Sequence, residues 1–247
     1  MQIIAHRGAS KMAPENTLAA VRLAWEQQAD GVEIDVRLTR DGQIVAIHDA
    51  SMLRTGGKDL PVADHTLAEL QQLDVGKWKS ERYAGERIPT LTDVLAELPP
   101  QKDLYIEIKC GKEVIAPLCR VVAESKASPQ RTVFIGFDLE TMVALKRELP
   151  DQPALWIVGF QQDKTTGEWS PGIPDIIDTA RQAGLDGLDL QDSPCVDELA
   201  LRAIHAADLR SAVWTVDDAN EARRLQQAGL QAITTNRPGW LREQLDM

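Results

Sequence analysis

Short apolar, β-branched runs alternate with longer stretches of helical spacing almost from one end of the chain to the other. The runs Ile3-Ala5, Gly31-Leu38, Leu104-Lys109, Thr132-Gly136, Ala154-Val158, Gly187-Leu190, Ser211-Val216 and Ala232-Thr235 predict eight strands. Between them, 16–27, 113–125, 139–149, 196–207 and 219–228 carry helical spacing, and Gly229 stands where a helix C-terminus favours glycine. Strands that alternate with helices in this way build a parallel sheet. Eight such strands in 247 residues predict an α/β fold, a (β/α)8 TIM barrel. An open doubly wound sheet is the alternative, but no GxGxxG follows the first strand.

Two places break the alternation. Asp41-Gly42 is a hairpin signal, with Val36-Leu38 before it and Ile44-Ile47 after it. The return strand runs antiparallel and stands outside the eight. With Asp41 and Gly42 as the turn, Arg40 faces Gln43 and Asp35 falls opposite His48. The second break is the stretch from about 50 to 89, too long for a plain connection. Within it Thr66-Leu67-Ala68-Glu69 reads as a capping box, so a small insertion over the barrel mouth is expected. The loop from Gly159 to Pro174, with Trp169, follows a barrel strand and is a candidate wall of the substrate pocket.

Composition narrows the function. The length and a hydrophobic content of 43% suit one barrel domain over 1–247. A net charge of −11 argues against a nucleic-acid or anionic-membrane surface, either of which wants a basic patch. Strand character from Gln2 leaves no room for a signal peptide, and no apolar stretch approaches membrane-spanning length. Cys110, Cys119 and Cys195 are scattered, without CxxC spacing, which suits a reducing compartment and hence the cytoplasm. An anionic substrate of so acidic a protein needs a locally positive site, which a bound cation would supply.

The chemistry-bearing residues cluster at strand ends. Glu33 and Asp35 are two apart on one strand and share a face; Glu107 and Lys109 repeat that spacing on another. Inward faces of a barrel converge, so the three acids meet at its C-terminal mouth and repel one another. A hard divalent cation resolves the repulsion, and all-oxygen ligands favour Mg²⁺ or Ca²⁺ over zinc. Ion pairing with nearby Arg and Lys is the plainer reading of any one of these acids. His6 ends the first strand and His48 the hairpin return, and two imidazoles beside a polarised phosphate can divide general base and general acid work. Lys109 points inward with Glu107, whereas Arg7 reaches a phosphate only if the chain turns at Gly8. Asn16 or Thr17 caps the first helix. Trp214, at a late strand end, is core or a flat surface for a small polyol. His65 and His205 lie away from these motifs and read as surface residues.

Taken in order, His6-Arg7-Gly8, Pro14-Glu15-Asn16-Thr17, Glu33-x-Asp35, Asp41-Gly42 and His48-Asp49 resemble the glycerophosphodiester phosphodiesterase family. Leu53-Arg54-Thr55, Gly85-Glu86-Arg87-Ile88-Pro89-Thr90-Leu91, Glu107-Ile108-Lys109 and Trp214-Thr215-Val216 extend the resemblance over nearly the whole chain. The resemblance implies a (β/α)8 barrel that hydrolyses glycerophosphodiesters to sn-glycerol 3-phosphate and an alcohol. It implies one divalent cation on Glu33, Asp35 and Glu107, with His6 and His48 as the acid/base pair. It further implies that Arg7 and Lys109 contact the phosphate and that Glu15 supports the residues around the cation. The nucleophile is either a neighbouring glycerol hydroxyl, through a cyclic phosphate, or water. Three departures bear on specificity: Phe134-Ile135-Gly136-Phe137 where serines are common, Asp217-Asp218 where an asparagine is common, and Asn236 where an aspartate is frequent. The rivals are cleavage of a lipid diester, phospholipase C-like or D-like, and a barrel that only binds a phosphodiester or a protein partner. No basic amphipathic segment favours the first, and the intact set of acids and histidines disfavours the second.

Overall fold

In a computed structural model describing residues 1–125 and 127–247, the strands are β1 (Gln2–His6), β2 (Gly31–Leu38), β3 (Ile44–Ala46), β4 (Asp103–Ile108), β5 (Thr132–Gly136) and β6 (Ala154–Val158). They continue as β7 (Gln161–Gln162), β8 (Trp169–Ser170), β9 (Gly187–Gln191), β10 (Arg210–Trp214) and β11 (Ala232–Thr235). Among the described residues, eight parallel strands run β1-β11-β10-β9-β6-β5-β4-β2, and β1 also pairs with β2, which closes the ring. Helices follow the barrel strands at Leu18–Glu26, Leu91–Ala96, Ile115–Glu124, Leu139–Glu148, Ile173–Gln182, Glu198–Ala206, Ala219–Gln227 and Pro238–Gln244. The chain is a (β/α)8 TIM barrel. The sequence pattern showed five of these helices; those at 91–96, 173–182 and 238–244 are short or begin near proline, which blurs their periodicity.

Alternation along each strand separates two apolar layers. Ile4, Tyr105, Val133, Ile135, Leu155, Ile157, Ala212 and Ala232 point inward and fill the barrel. Their neighbours Ile34, Ile106, Phe134, Leu188, Val213 and Ile233 face outward and are buried among helical side chains such as Leu118, Met142, Leu201 and Leu225. With both faces covered the strands read as continuous apolar runs, and the acids that interrupt them stand out.

The hairpin corrects the expected register by one residue. Thr39 N–H donates to the Gln43 carbonyl at 2.9 Å, so the loop is the three residues Arg40-Asp41-Gly42, with Gly42 at φ +77°. A three-residue loop of this kind wants glycine in the left-handed region at its last position. Leu38 pairs with Ile44 and Val36 with Ala46, and the Ile47 N–H reaches the Asp35 carbonyl at 2.9 Å; Asp35 thus faces Ile47, not His48. His48 lies beyond β3, where its carbonyl accepts from Arg37 Nε at 2.9 Å. The same guanidinium gives Nη1–H to the Lys109 carbonyl at 2.8 Å, tying the two chain segments together.

Residues 50–89 fold over this hairpin around their own apolar cluster of Val45, Ile47, Met52, Val62, Leu70, Leu73, Val75 and Ile88. The capping box at Thr66 is formed as expected, with Glu69 returning to the Thr66 N–H. The loop 159–174 departs from expectation. It forms the β7–β8 ribbon, and Trp169 packs on the outer apolar layer that contains Phe160. His205 and His65 are half-buried rather than surface residues: His205 Nε2 lies 2.9 Å from Ser211 Oγ, and His65 Nδ1 lies 2.8 Å from the Pro61 carbonyl.

Candidate active site

At the C-terminal ends of the strands lies a cavity of about 170 Å³ lined by His6, Arg7, Glu33, His48, Glu107 and Lys109 on one side. Ile135, Phe137, Ile157, Asp189, Trp214, Thr215 and Thr234 line the other. A larger groove of about 570 Å³ near the helix at 91–96 is lined by Leu95, Leu98, Pro99 and Val121 and holds none of the clustered acids or histidines. Size therefore does not mark the site; the chemistry of the walls does.

β2 presents Glu33 and Asp35, and β4 pairs with it so that Glu107 falls beside Asp35. All three are buried, and one oxygen of each lies within 4.8 Å of the others. Glu33 Oε1 has no hydrogen-bond partner, and Lys109 Nζ lies 2.5 Å from Glu107 Oε1 and 3.3 Å from Asp35 Oδ1. Burial, then the neighbouring Asp35 charge, pushes the Glu33 carboxyl well above its usual range and Glu107 up to about 7. Three converging buried carboxylates, with Glu33 and Glu107 raised first by burial and then by the neighbouring Asp35 charge, fit a hard divalent cation. Two cations, Arg7 and Lys109, face three acids here; a divalent ion would turn one excess negative charge into one positive.

Arg7 reaches the site because the chain does turn after β1. Arg7 and Gly8 both take left-handed backbone, at φ +56° and +78°. A Cβ on Gly8 would meet the Ala20 carbonyl carbon at 2.5 Å, so only glycine fits. The turn lets the Arg7 N–H donate to Glu33 Oε2 at 2.8 Å and brings Nε within 3.0 Å of Asp35 Oδ2. Arg7 Nη1 donates to Glu15 Oε1 at 2.8 Å. Arg54 grips Glu15 with two hydrogen bonds of 2.7 and 2.9 Å and Asp49 with two of 2.7 and 3.1 Å. Burial opposes ionisation of Glu15, yet the Arg54 hydrogen bonds and the Arg7 charge hold its carboxyl down at about 2.

Each histidine has one ring nitrogen engaged. His6 Nδ1 lies 2.8 Å from Asn236 Oδ1. Asn236 is oriented by Asp217, which accepts from its N–H at 2.9 Å and from its Nδ2–H at 2.7 Å. The amide therefore presents its oxygen to His6, so Nδ1 carries the proton and Nε2 keeps its lone pair. Burial, then the Arg7 charge, lowers the His6 pKa and favours the neutral ring. His48 Nδ1 lies 2.8 Å from Asp49 Oδ1, which likewise fixes a donor at Nδ1.

Residues 6–240 match the glycerophosphoryl diester phosphodiesterase family. The chain belongs to that family. A phosphodiesterase from Oleispira antarctica, solved in complex with the product sn-glycerol-3-phosphate, is 30% identical with a TM-score of 0.88, over 100% of this chain and 97% of its own. Bacillus subtilis YhdW, provisionally named a glycerophosphodiester phosphodiesterase, is 33% identical over 98% of this chain and 96% of its own. A glycerophosphodiester phosphodiesterase from Caldanaerobacter subterraneus is 52% identical over 111 residues, 44% of this chain and 45% of its own.

Within this family barrel, several residues escaped the sequence reading. Asn16 was a candidate helix cap, but Thr17 takes that place by accepting from Ala20 N–H. Asn16, at φ +56°, instead gives Nδ2–H to Asp35 Oδ2 at 2.8 Å and accepts from the Asp35 N–H at 3.0 Å. Arg37 bonds the carbonyls of His48 and Lys109, and the roles of Arg54, Asp217 and Asn236, though all three stood out in the sequence, come from partners such as Glu15 and His6 that no local pattern pairs with them. Asp189 was legible in principle, as an acid inside the apolar run Gly187-Leu190.

Proposed function

We propose that the protein, as one barrel domain over 1–247, hydrolyses glycerophosphodiesters to sn-glycerol 3-phosphate and an alcohol. The observation that carries this reading is the convergence of three buried carboxylates beside a cavity lined by two imidazoles that each have one ring nitrogen already engaged. The relative that holds sn-glycerol 3-phosphate supports the identity of the product. Glu33, Asp35 and Glu107 would hold one Mg²⁺ or Ca²⁺, which when bound supplies positive charge to the phosphoryl oxygens.

Arg7 and Lys109 bind the phosphate from the rim of the acid cluster, and their charges favour the extra negative charge that develops at phosphorus. His6, neutral and with its Nε2 lone pair free, takes the proton of the attacking hydroxyl, from water or from the substrate's own glycerol. His48 gives a proton from Nε2 to the departing alkoxide. Glu15 and Asp49, joined by Arg54, hold Arg7 and His48 in place. Trp214 and Phe137 meet edge to face at 5.7 Å and form an apolar wall for the carbon chain of the substrate. No described helix is long and apolar enough to cross a membrane, and the acidic net charge disfavours lipid surfaces and nucleic acid. The three cysteines are free, which suits the cytoplasm.

The test is release of sn-glycerol 3-phosphate from glycerophosphocholine and glycerophosphoethanolamine, with Mg²⁺, with Ca²⁺ and with chelator. Release that needs a divalent ion is expected, and the faster metal identifies the ion. Folded protein that releases nothing with either metal overturns the reading in favour of a lipid diester or a barrel that only binds.

A further inference from the structure

Asp189 is a buried carboxyl that the proposed reaction does not use. It lies on β9 in register with Ile157 of β6 and Ala212 of β10, both in the apolar filling of the barrel. It is 2% exposed, and its Oδ1 has no hydrogen-bond partner. Among the described residues no Lys, Arg or His lies at ion-pair distance from it, and its oxygens stand outside the trio that could hold a metal. Its own carbonyl accepts from Trp214 Nε1 at 3.3 Å, so the backbone is held while the side chain is left free. Burying a carboxyl without a partner destabilises the fold, and a valine here would complete the apolar layer. The side chain lines the same cavity as His6, Glu33 and Glu107.

We propose, on the reading of function given above, that Asp189 is the hydrogen-bond partner of a glycerol hydroxyl and selects glycerophosphodiesters over diesters of simple alcohols. A phosphodiester held at its phosphate by Arg7, Lys109 and the acid cluster has two substituents. One points toward the rim, where Phe137 is 49% exposed; the other points toward buried Asp189 and Thr234. The group common to all substrates is the one that a closed, specific end can afford to bind. A hydroxyl both donates and accepts, so it matches a carboxyl in either protonation state. Burial, then the Glu107 charge, pushes the Asp189 carboxyl up to about 8, which leaves it a neutral donor near pH 7 and a poor counter-ion for an ammonium group.

Calorimetric titration of sn-glycerol 3-phosphate and of propyl phosphate, in Mg²⁺ buffer, tests this without turnover. The wild type is expected to prefer glycerol 3-phosphate. Asp189→Val, apolar and of similar volume, is expected to lose about tenfold or more of that preference, with a melting temperature no lower than wild type. Asp189→Asn, which keeps a donor and an acceptor, is expected to retain most of it and shows that loss in the valine variant is not misfolding. An unchanged preference in Asp189→Val, or no preference in the wild type, overturns the assignment. Hydrolysis assayed alongside separates the two readings. Turnover with a preference indifferent to Asp189 leaves the activity and removes the subsite; a preference that depends on Asp189 without turnover does the reverse.

Discussion

The two sides of the barrel mouth are built on opposite principles. β1, β2, β4 and the segment after β3 supply His6, Arg7, Glu33, Asp35, His48, Glu107 and Lys109, all within the first 109 residues. β5, β6 and β10 supply Ile135, Phe137, Ile157 and Trp214. On the charged side nearly every group is gripped by another: Arg7 by Glu15, Glu15 by Arg54, Asp49 by Arg54, Asp35 by Asn16. The apolar side has no such lattice; Phe137 and Trp214 meet edge to face instead. A barrel of this kind can change what it binds on one side while conserving what it does on the other. Among the described residues that line the cavity, Asp189 is the one acid on the apolar side, which is why its lack of a partner is informative.

Removing the reacting group should break the comparison most severely. His48→Ala is expected to lower kcat by about 10²–10⁴-fold with the fold retained. Phe137→Leu on the opposite wall should move KM and leave kcat largely intact, as for contacts made equally by substrate and transition state. Near-normal kcat in His48→Ala, or a kcat loss in Phe137→Leu of equal size, would erase the distinction between the two sides.

Loosening the lattice comes next. Lysine cannot reproduce the paired hydrogen bonds of Arg54 to both Glu15 and Asp49. Arg54→Lys should therefore cost about tenfold in kcat, within the range seen when supporting partners of a site are lost. Unaltered turnover would mean that Arg7 and His48 hold their positions unaided.

The smallest effect is on stability, and its sign is specific. Glu33 and Glu107 bind their protons more tightly in the folded chain than the ordinary value of 4.5, Glu107 up to about 7. The folded state thus holds more protons than the unfolded one across that window, and stability is lost as pH rises through it. In chelator the melting temperature should fall by about 3 °C or more between pH 5 and pH 7.5. Mg²⁺ or Ca²⁺ should flatten the slope and raise melting at pH 7.5 by binding the folded form. A melting temperature indifferent to both pH and metal would remove the acids from a common site.

Much of this was readable along the chain. The spacing of Glu33 and Asp35, and of Glu107 and Lys109, requires only strand alternation to place each pair on one face. The hairpin was readable too, but not its length, because Asp41-Gly42 serves two- and three-residue loops alike. The Thr39 to Gln43 hydrogen bond and the pairing of Leu38 with Ile44 distinguish them. Trp169 shows the same limit, since a loop's place in the chain does not say which layer its side chains join.

By itself the sequence determined the barrel and the inventory of reacting groups, because periodicity and residue type are local properties of the chain. Tertiary structure decided the rest: the tautomer of His6 through Asn236 and Asp217, the double grip of Arg54, and the solitude of Asp189 between Ile157 and Ala212. These depend on which groups the folded chain brings within about 3 Å and which it does not, and hydrogen bonding falls off too steeply with distance for sequence separation to foretell it.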